Sequence, residues 1–274
     1  MDDASDGVRL RDGDWREAFE RLDERGGGVV TVPAGRVESD PVTIDLAKYP
    51  NLRNNVSIRG AGIGTSTVDL GEGNGDGFSL VHSDEGDVFY LQLTGMLFEG
   101  ARDGVLVRIG SDERTDAYNS CSFEFATCNG HPDATAACRL NAVLNTRHFG
   151  VHNCEGGTAL ELREFQFGGL TGSVSSRDGV SLELSGYTFA NVVEWLNVEA
   201  CDDGIRIVGE NCDINRFGML YGANVGGTLW RHEAPVQTRI DAAFVGENVE
   251  RIADHDDGEY TVGLSNESFD DTGE

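Results

Sequence analysis

A small polar turn followed by a short alternation of apolar residues returns along this chain, and a repeating strand-sized unit restricts the fold more than any single motif. It reads ARDGVLVRIG at 101–110, CEGGTALEL at 154–162, SRDGVSLEL at 176–184, CDDGIRIVG at 201–209 and ANVGGTLWR at 223–231. Measured on the glycine before each strand, Gly157 to Gly179 is 22 residues, Gly179 to Gly204 is 25 and Gly204 to Gly227 is 23. Gly104 to Gly157 is 53 residues, two such periods with an insertion. This period is too long for a hairpin pair and too irregular for a propeller blade, and the Leu and Asn positions of leucine-rich repeats are absent. It suits a coil of three short strands joined by turns. At about 4.8 Å per stacked coil, roughly eight to ten coils make a rod on the order of 40–50 Å long. Alternate residues point inward and stack into ladders of Val, Ile, Leu, Phe and Cys, with Cys154 and Cys201 on related rungs. Gly and Asp are expected to supply the positive φ of the corners.

Ahead of the repeat, DWREAFERLDER at 14–25 places Trp15, Phe19 and Leu22 on one helical face, with Asp12 or Asp14 as cap. Such a helix is a lid over the open first coil. Gly26 to Gly28 end it, and VVTVPAG, PVTIDL and NVSIRGAGIGTSTVDL continue as short strands punctuated by glycine and proline. GAGIG at 60–64 precedes no helical pattern, so it reads as a corner and not as a phosphate loop. Residues 111–140 fit the period least well, and the insertion is centred on NGHPDATAA, where a binding loop would sit. TRIDAAFVG and EYTVGL are the final strands before NESFDDTGE. The fold class is therefore all-β, a parallel β-helix with a short N-terminal capping α-helix. Its parts are an arm and cap at 1–25, the solenoid at 26–262 and an acidic tail at 263–274.

Charge narrows the setting. The chain carries 48 Asp and Glu against 21 Lys and Arg, a net charge of -27, and Lys48 is its only lysine. Self-repulsion on that scale weakens a compact state in ordinary water, whereas molar salt shortens the Debye length to about 3 Å and removes most of it. An acidic surface in which Arg replaces Lys points to a protein of a high-salt environment. It excludes unspecific binding to nucleic acid or to anionic membranes, which needs basic patches. MDDASDGVRL has no basic or apolar signal region, and no run of 18 apolar residues exists to insert in a membrane. Export by another route, including release within a virus particle, stays open.

The stretches GGGVVTVPAGRV at 26–37 and VSIRGAGIGTSTVDL at 56–70, with Trp15, Ala18 and Leu22 before them, resemble the pectate-lyase-like superfamily as it occurs in phage and archaeal virus spike proteins. The specific match covers about the first 75 residues, the remainder only through its repeat. The resemblance implies a right-handed β-helix, frequently trimeric, serving as tailspike, fibre, capsid turret or polysaccharide-active enzyme.

Glycoside hydrolysis needs two carboxylates across a groove, roughly 5 to 10 Å apart. Glu199, Asp202 and Asp203 in WLNVEACDDGIRI are the local candidates, with Asp178 one coil earlier and Arg206 nearby. The polygalacturonase branch of the superfamily has a paired Asp, a Gly-His-Gly and an Arg-Ile-Lys. Asp202 and Asp203 offer the pair, but the other two motifs are absent, and no calcium-binding cluster of the lyase kind is identifiable. Cys121, Cys128, His131 and Cys138 offer thiolate and imidazole ligands for zinc, in the unusual spacing C-x6-C-x2-H-x6-C. A disulfide between Cys128 and Cys138, or buried thiols beside an exposed histidine, are the alternatives. His148 and His152 lie four apart on an expected strand, where they need not converge on a metal. Sequons begin at Asn55 and Asn266.

The expected function is that of a structural protein on the surface of a haloarchaeal virion: a capsid turret, tail spike or fibre for host attachment or assembly. Its expected partners are two further copies of itself, other virion proteins and a host cell-surface glycan. The alternative is an extracellular polysaccharide lyase or glycoside hydrolase on the same scaffold. No cofactor is expected beyond structural divalent or monovalent cations at acidic turns.

Overall fold

The computed structural model describes residues 7–52, 54, 56–84, 86–111, 117–209, 211–233, 238–255 and 260–264. The sequons at Asn55 and Asn266, and residues 265–274 of the acidic tail, lie outside them. The described residues form an all-β protein with one α-helix, Trp15–Glu24, and a 3₁₀ turn at Leu46–Lys48.

Every strand pairing is parallel, and each joins a residue to one a coil further along. Val8, Val30, Ile58, Leu93, Phe123, His148, Leu170, Val193, Phe217, Ile240 and Val262 follow one another in one unbroken register. Those from Val8 to Ile240 are at most 4% exposed, so this line is a column of the core. Its ten steps span roughly 48 Å at the ordinary strand spacing. The column begins at Val8, inside the segment assigned by sequence to the N-terminal arm.

A second core column runs Ile44, Leu80, Ile109, Leu140, Leu162, Leu184, Ile207 and His232. A third, shorter ladder pairs Val88–Phe89 with Tyr118–Asn119 and that with Val143–Leu144. A further ladder pairs Gly35–Glu38 with Ser66–Gly73 and that with the later part of Gln92–Arg102, and the ladders together enclose one apolar interior because each strand turns alternate residues inward.

The helix closes the N-terminal end. Asp14 is its cap and accepts the Glu17 N–H at 2.9 Å, while Trp15, Ala18, Phe19 and Leu22 are buried. Trp15 begins an aromatic stack through the core: its ring lies 4.8 Å from Phe78, Phe78 lies 5.4 Å from Phe98, and Phe98 lies 6.0 Å from Phe125. Burying side chains of this size contributes about 1.5–3 kcal/mol each.

The corners depart from expectation. At one of them Tyr90, Ser120, Asn145, Phe167, Ala190 and Ile214 all take positive φ, between 49° and 61°, so this line of left-handed residues contains no glycine. The repeat-marking Gly179 answers a different need. A Cβ there would lie 1.9 Å from the carbonyl oxygen of Gly157 on the neighbouring coil. Close approach of coils, not backbone handedness, requires that glycine.

Outward-facing charges bridge coils. Arg139 donates to Glu161 at 2.6 Å, Arg206 is held by Glu183, and Arg231 meets Asp203 at 2.9 Å. A planar guanidinium with several donors suits such bridging better than an ammonium does, a structural use for arginine over lysine.

Candidate functional site

The outer face of the long ladder differs from the rest of the surface. Arg147, Gly169, Val192, Arg216 and Arg239 form one outward row. Glu124, Phe149, Thr171, Trp195, Met219 and Ala242 form the next. Val151, Ser173, Asn197, Tyr221 and Phe244 form a third. Phe149, Trp195, Met219, Tyr221 and Phe244 are 37–44% exposed, high for large apolar side chains. Glu194 is an extra residue in its strand, since Leu170 pairs with Val193 and Thr171 with Trp195. That bulge puts Glu194 and Trp195 both outward.

These rows frame a groove of about 320 Å³ lined by Glu124, Arg147, Phe149, Gly169, Thr171 and Glu194, with His148 beneath. Two larger clefts, of about 780 and 410 Å³, lie at the capped end beside residues such as Arg9, Arg11 and Asp40. The smaller groove is the better candidate because it sets an aromatic ring beside charged groups and continues into the aromatic strip. Farther along the face, Asp241 accepts from Arg216 at 2.6 Å and pairs with Arg239 at 2.5 Å. Those guanidiniums hold its carboxyl below the usual range. The face offers apolar platforms with polar groups between them, which fits a ligand that is apolar on its faces and polar at its edges.

Under the groove the Nε2 atoms of His148 and His152 lie 2.8 Å apart, and His152 Nδ1 lies 2.8 Å from Thr127 Oγ1. Both rings are buried and nearly parallel, with centroids 5.0 Å apart. Burial pushes His148 down to about 4 and His152 well below the ordinary imidazole value. The pair is therefore neutral, with one Nε2 donating and the other accepting.

The residues proposed from sequence are placed as follows. Glu199 and Asp202 are exposed on either side of the corner at Ala200. Asp203 is structural: it accepts the Thr228 N–H at 3.0 Å and pairs with Arg231. Asp178 is exposed one coil earlier, and Arg206 is held by Glu183. Cys121 and Cys138 are buried, Cys128 is exposed, and His131 lies in a turn where its Nδ1 accepts the Asp133 N–H at 3.1 Å. Among the described residues no three His, Cys, Asp or Glu side chains are grouped to hold a metal, and all six cysteines are free thiols. Burial pushes the Cys121 and Cys154 thiols up to about 12 and Cys201 and Cys212 to about 11. Cys154 pairs with Ser176, and Cys201 follows at the same corner one coil on.

Sequence reasoning missed Glu124, Arg147, Phe149, Glu194 and Trp195. A parity signal was present, since Arg147 and Phe149 flank His148 in a strand and must point away from it.

No family model matches this chain, and no curated protein matches it. Its fold is similar to that of Geobacillus virus E2 ORF18, with a TM-score of 0.53 and 10% identity over 94% of this chain and 62% of that one. The chain thus spans 62% of that protein's length. Weaker likenesses are to the catalytic unit of a thermostable GH87 alpha-1,3-glucanase from Streptomyces thermodiastaticus and to a mannuronan C-5 epimerase A-module from Azotobacter vinelandii. The glucanase has a TM-score of 0.33 and 12% identity over 98% of this chain and 70% of that one. The epimerase has a TM-score of 0.35 and 11% identity over 90% and 92%. Among the described residues no helix is long and apolar enough to cross a membrane.

Proposed function

We propose that this chain is a right-handed β-helix of the pectate-lyase-like kind and a surface protein of a haloarchaeal virion, a turret, spike or fibre that attaches to host glycan. Right-handedness follows the strong bias of parallel crossover connections. The virion setting follows the resemblance of residues 26–37 and 56–70, and the fold partner from Geobacillus virus E2 agrees with it. The high-salt setting follows the net charge of -27. A stack of coils is stiff along its axis and suits projection from a particle. Self-association as a trimer belongs to this reading, as do contacts with other virion proteins. Brine cations would gather loosely at exposed acidic turns such as Asp178 and Asp202.

The observation that carries the reading is the aromatic strip running into a charged groove on one flat face. Aromatic faces stack on the apolar faces of sugar rings, while Arg147, Glu124 and Glu194 reach hydroxyls. The enzyme alternative, a polysaccharide lyase or glycoside hydrolase, would use the same groove. Glu124 and Glu194 stand three rungs apart in register, roughly 14 Å between backbones, with Phe149 and Thr171, not a nearer carboxylate, on the two rungs between them. Binding without cleavage is therefore the preferred reading. The test is incubation with haloarchaeal surface glycans in about 3 M salt, assaying retention on the glycan and release of reducing ends or unsaturated sugars. Retention without release is expected; release would establish the enzyme, and replacing Glu199, Asp202 and Asp203 would then locate or exclude its acids.

A further inference from the structure

The corner formed by Tyr90, Ser120, Asn145, Phe167, Ala190 and Ile214 stacks coil upon coil into a straight ridge. Six rungs make it roughly 24 Å long. Each of these residues has positive φ, a region that costs an L-residue roughly 1–2 kcal/mol and suits a β-branched side chain least. Tyr90 is 54% exposed, Phe167 55% and Ile214 59%. Phe167 also joins an exposed aromatic cluster, with its ring 4.9 Å from Phe189 and Tyr187 5.4 Å from Phe189. At three positions, then, a backbone that favours Asn or Gly carries a large apolar side chain in water. Asn145, at the same corner, is the residue local energetics would choose.

We infer that this ridge is the line along which further copies of this chain pack, in a cyclic assembly whose axis runs beside it. The charge pattern identifies the occupant. Each copy carries -27, and although molar salt screens charges beyond about 3 Å, like charges pressed together in a contact still repel. The two corner positions of each coil, from 89–90 to 213–214, hold one formal charge, Asp213, among twelve residues, in a chain that is 25% charged. Here two copies approach with least repulsion, and molar salt strengthens apolar contact. The flat face carries three acids, Glu124, Glu194 and Asp241, and three bases, Arg147, Arg216 and Arg239; they cancel in sum, but each would have to be desolvated or matched across a contact, which the uncharged ridge does not require. Burial of Phe167, Tyr90 and Ile214 against like residues offsets their backbone strain.

The inference rests on the self-association part of the proposed function, and the test separates the two. Sedimentation in about 3 M salt gives the mass of the natural chain, of Phe167→Asn/Ile214→Asn and of Trp195→Ala. An oligomer is expected for the natural chain and for Trp195→Ala, and a single chain of 29.5 kDa for the ridge variant. Asn accepts positive φ, so the ridge variant is expected to keep its far-ultraviolet dichroism. If it fails to fold, Ala190→Cys in a Cys128→Ser background replaces it, and oxidation should link copies in pairs. An oligomer that survives the ridge substitutions, or that fails to cross-link, overturns the ridge and leaves self-association standing. A monomeric natural chain overturns both.

Discussion

His148 and His152 face each other across Gly150, Nε2 to Nε2 at 2.8 Å, at the end of the aromatic stack that begins with Trp15. The contact lets only one of the two Nε2 atoms carry a proton, and burial disfavours the charge that any further proton would add. Phe123, Phe125 and Thr127 pack from the preceding coil and Leu170 and Val174 pair with the histidines from the next, none of them charged.

Stability therefore falls with acid. Folding depresses His148 from 6.5 to about 4 by burial, so its contribution is complete above the unfolded value and is lost as pH falls from 6.5 toward 4. For His148 alone this amounts to about 2.5 kcal/mol between pH 7.5 and 4.5. Denaturant midpoints at constant high salt should follow that course, and His148→Leu/His152→Leu should flatten this part of the pH dependence.

Gly150→Ala should destabilise the middle coils. A Cβ there would lie 2.3 Å from His152 Nε2 and 2.7 Å from His148 Nε2, and both rings are enclosed. Overpacking of this kind costs about 1–3 kcal/mol, read as a lower denaturant midpoint with an unchanged slope.

Trp15→Ala should remove the base of the aromatic stack and the largest buried contact of the cap. A loss of about 3–5 kcal/mol is expected, accompanied by exposure of apolar surface to a dye such as ANS.

Asp203 and Asp202 should behave differently although they are neighbours. Asp203→Ala deprives the Thr228 N–H and Arg231 of their partner and should cost about 1–3 kcal/mol. Asp202→Asn changes an exposed side chain and should stay within about 0.5 kcal/mol. Equal effects in thermal unfolding would contradict this division.

The cap was legible because Trp15, Phe19 and Leu22 share a helical face, and the later coils because their strands return every 22 to 25 residues. The early coils were not. Ile58 to Leu93 takes 35 residues and Leu93 to Phe123 takes 30, so loops of unequal length hide a register that only pairing reveals. The long coil between Ile109 and Leu140 contains the turn after Asn129, within NGHPDATAA, while residues 112–116 of the same coil lie outside the described residues. The left-handed corner escaped notice because Phe, Tyr and Ile are residues that conformation disfavours. The groove was hidden for a different reason: Glu124, Arg147 and Glu194 come from three coils, and no local spacing joins them.

The most direct test of the glycan-binding face is the fluorescence of Trp195 during titration with haloarchaeal surface glycan. Trp15 and Trp230, the other two tryptophans, are at most 2% exposed, so a ligand on the flat face should alter the Trp195 signal alone. The account predicts a saturable change that Trp195→Ala abolishes, with affinity weakened at least about fivefold by retention assay and folding stability intact. Undiminished retention of the glycan by Trp195→Ala, with no change in the natural chain's fluorescence, would contradict it.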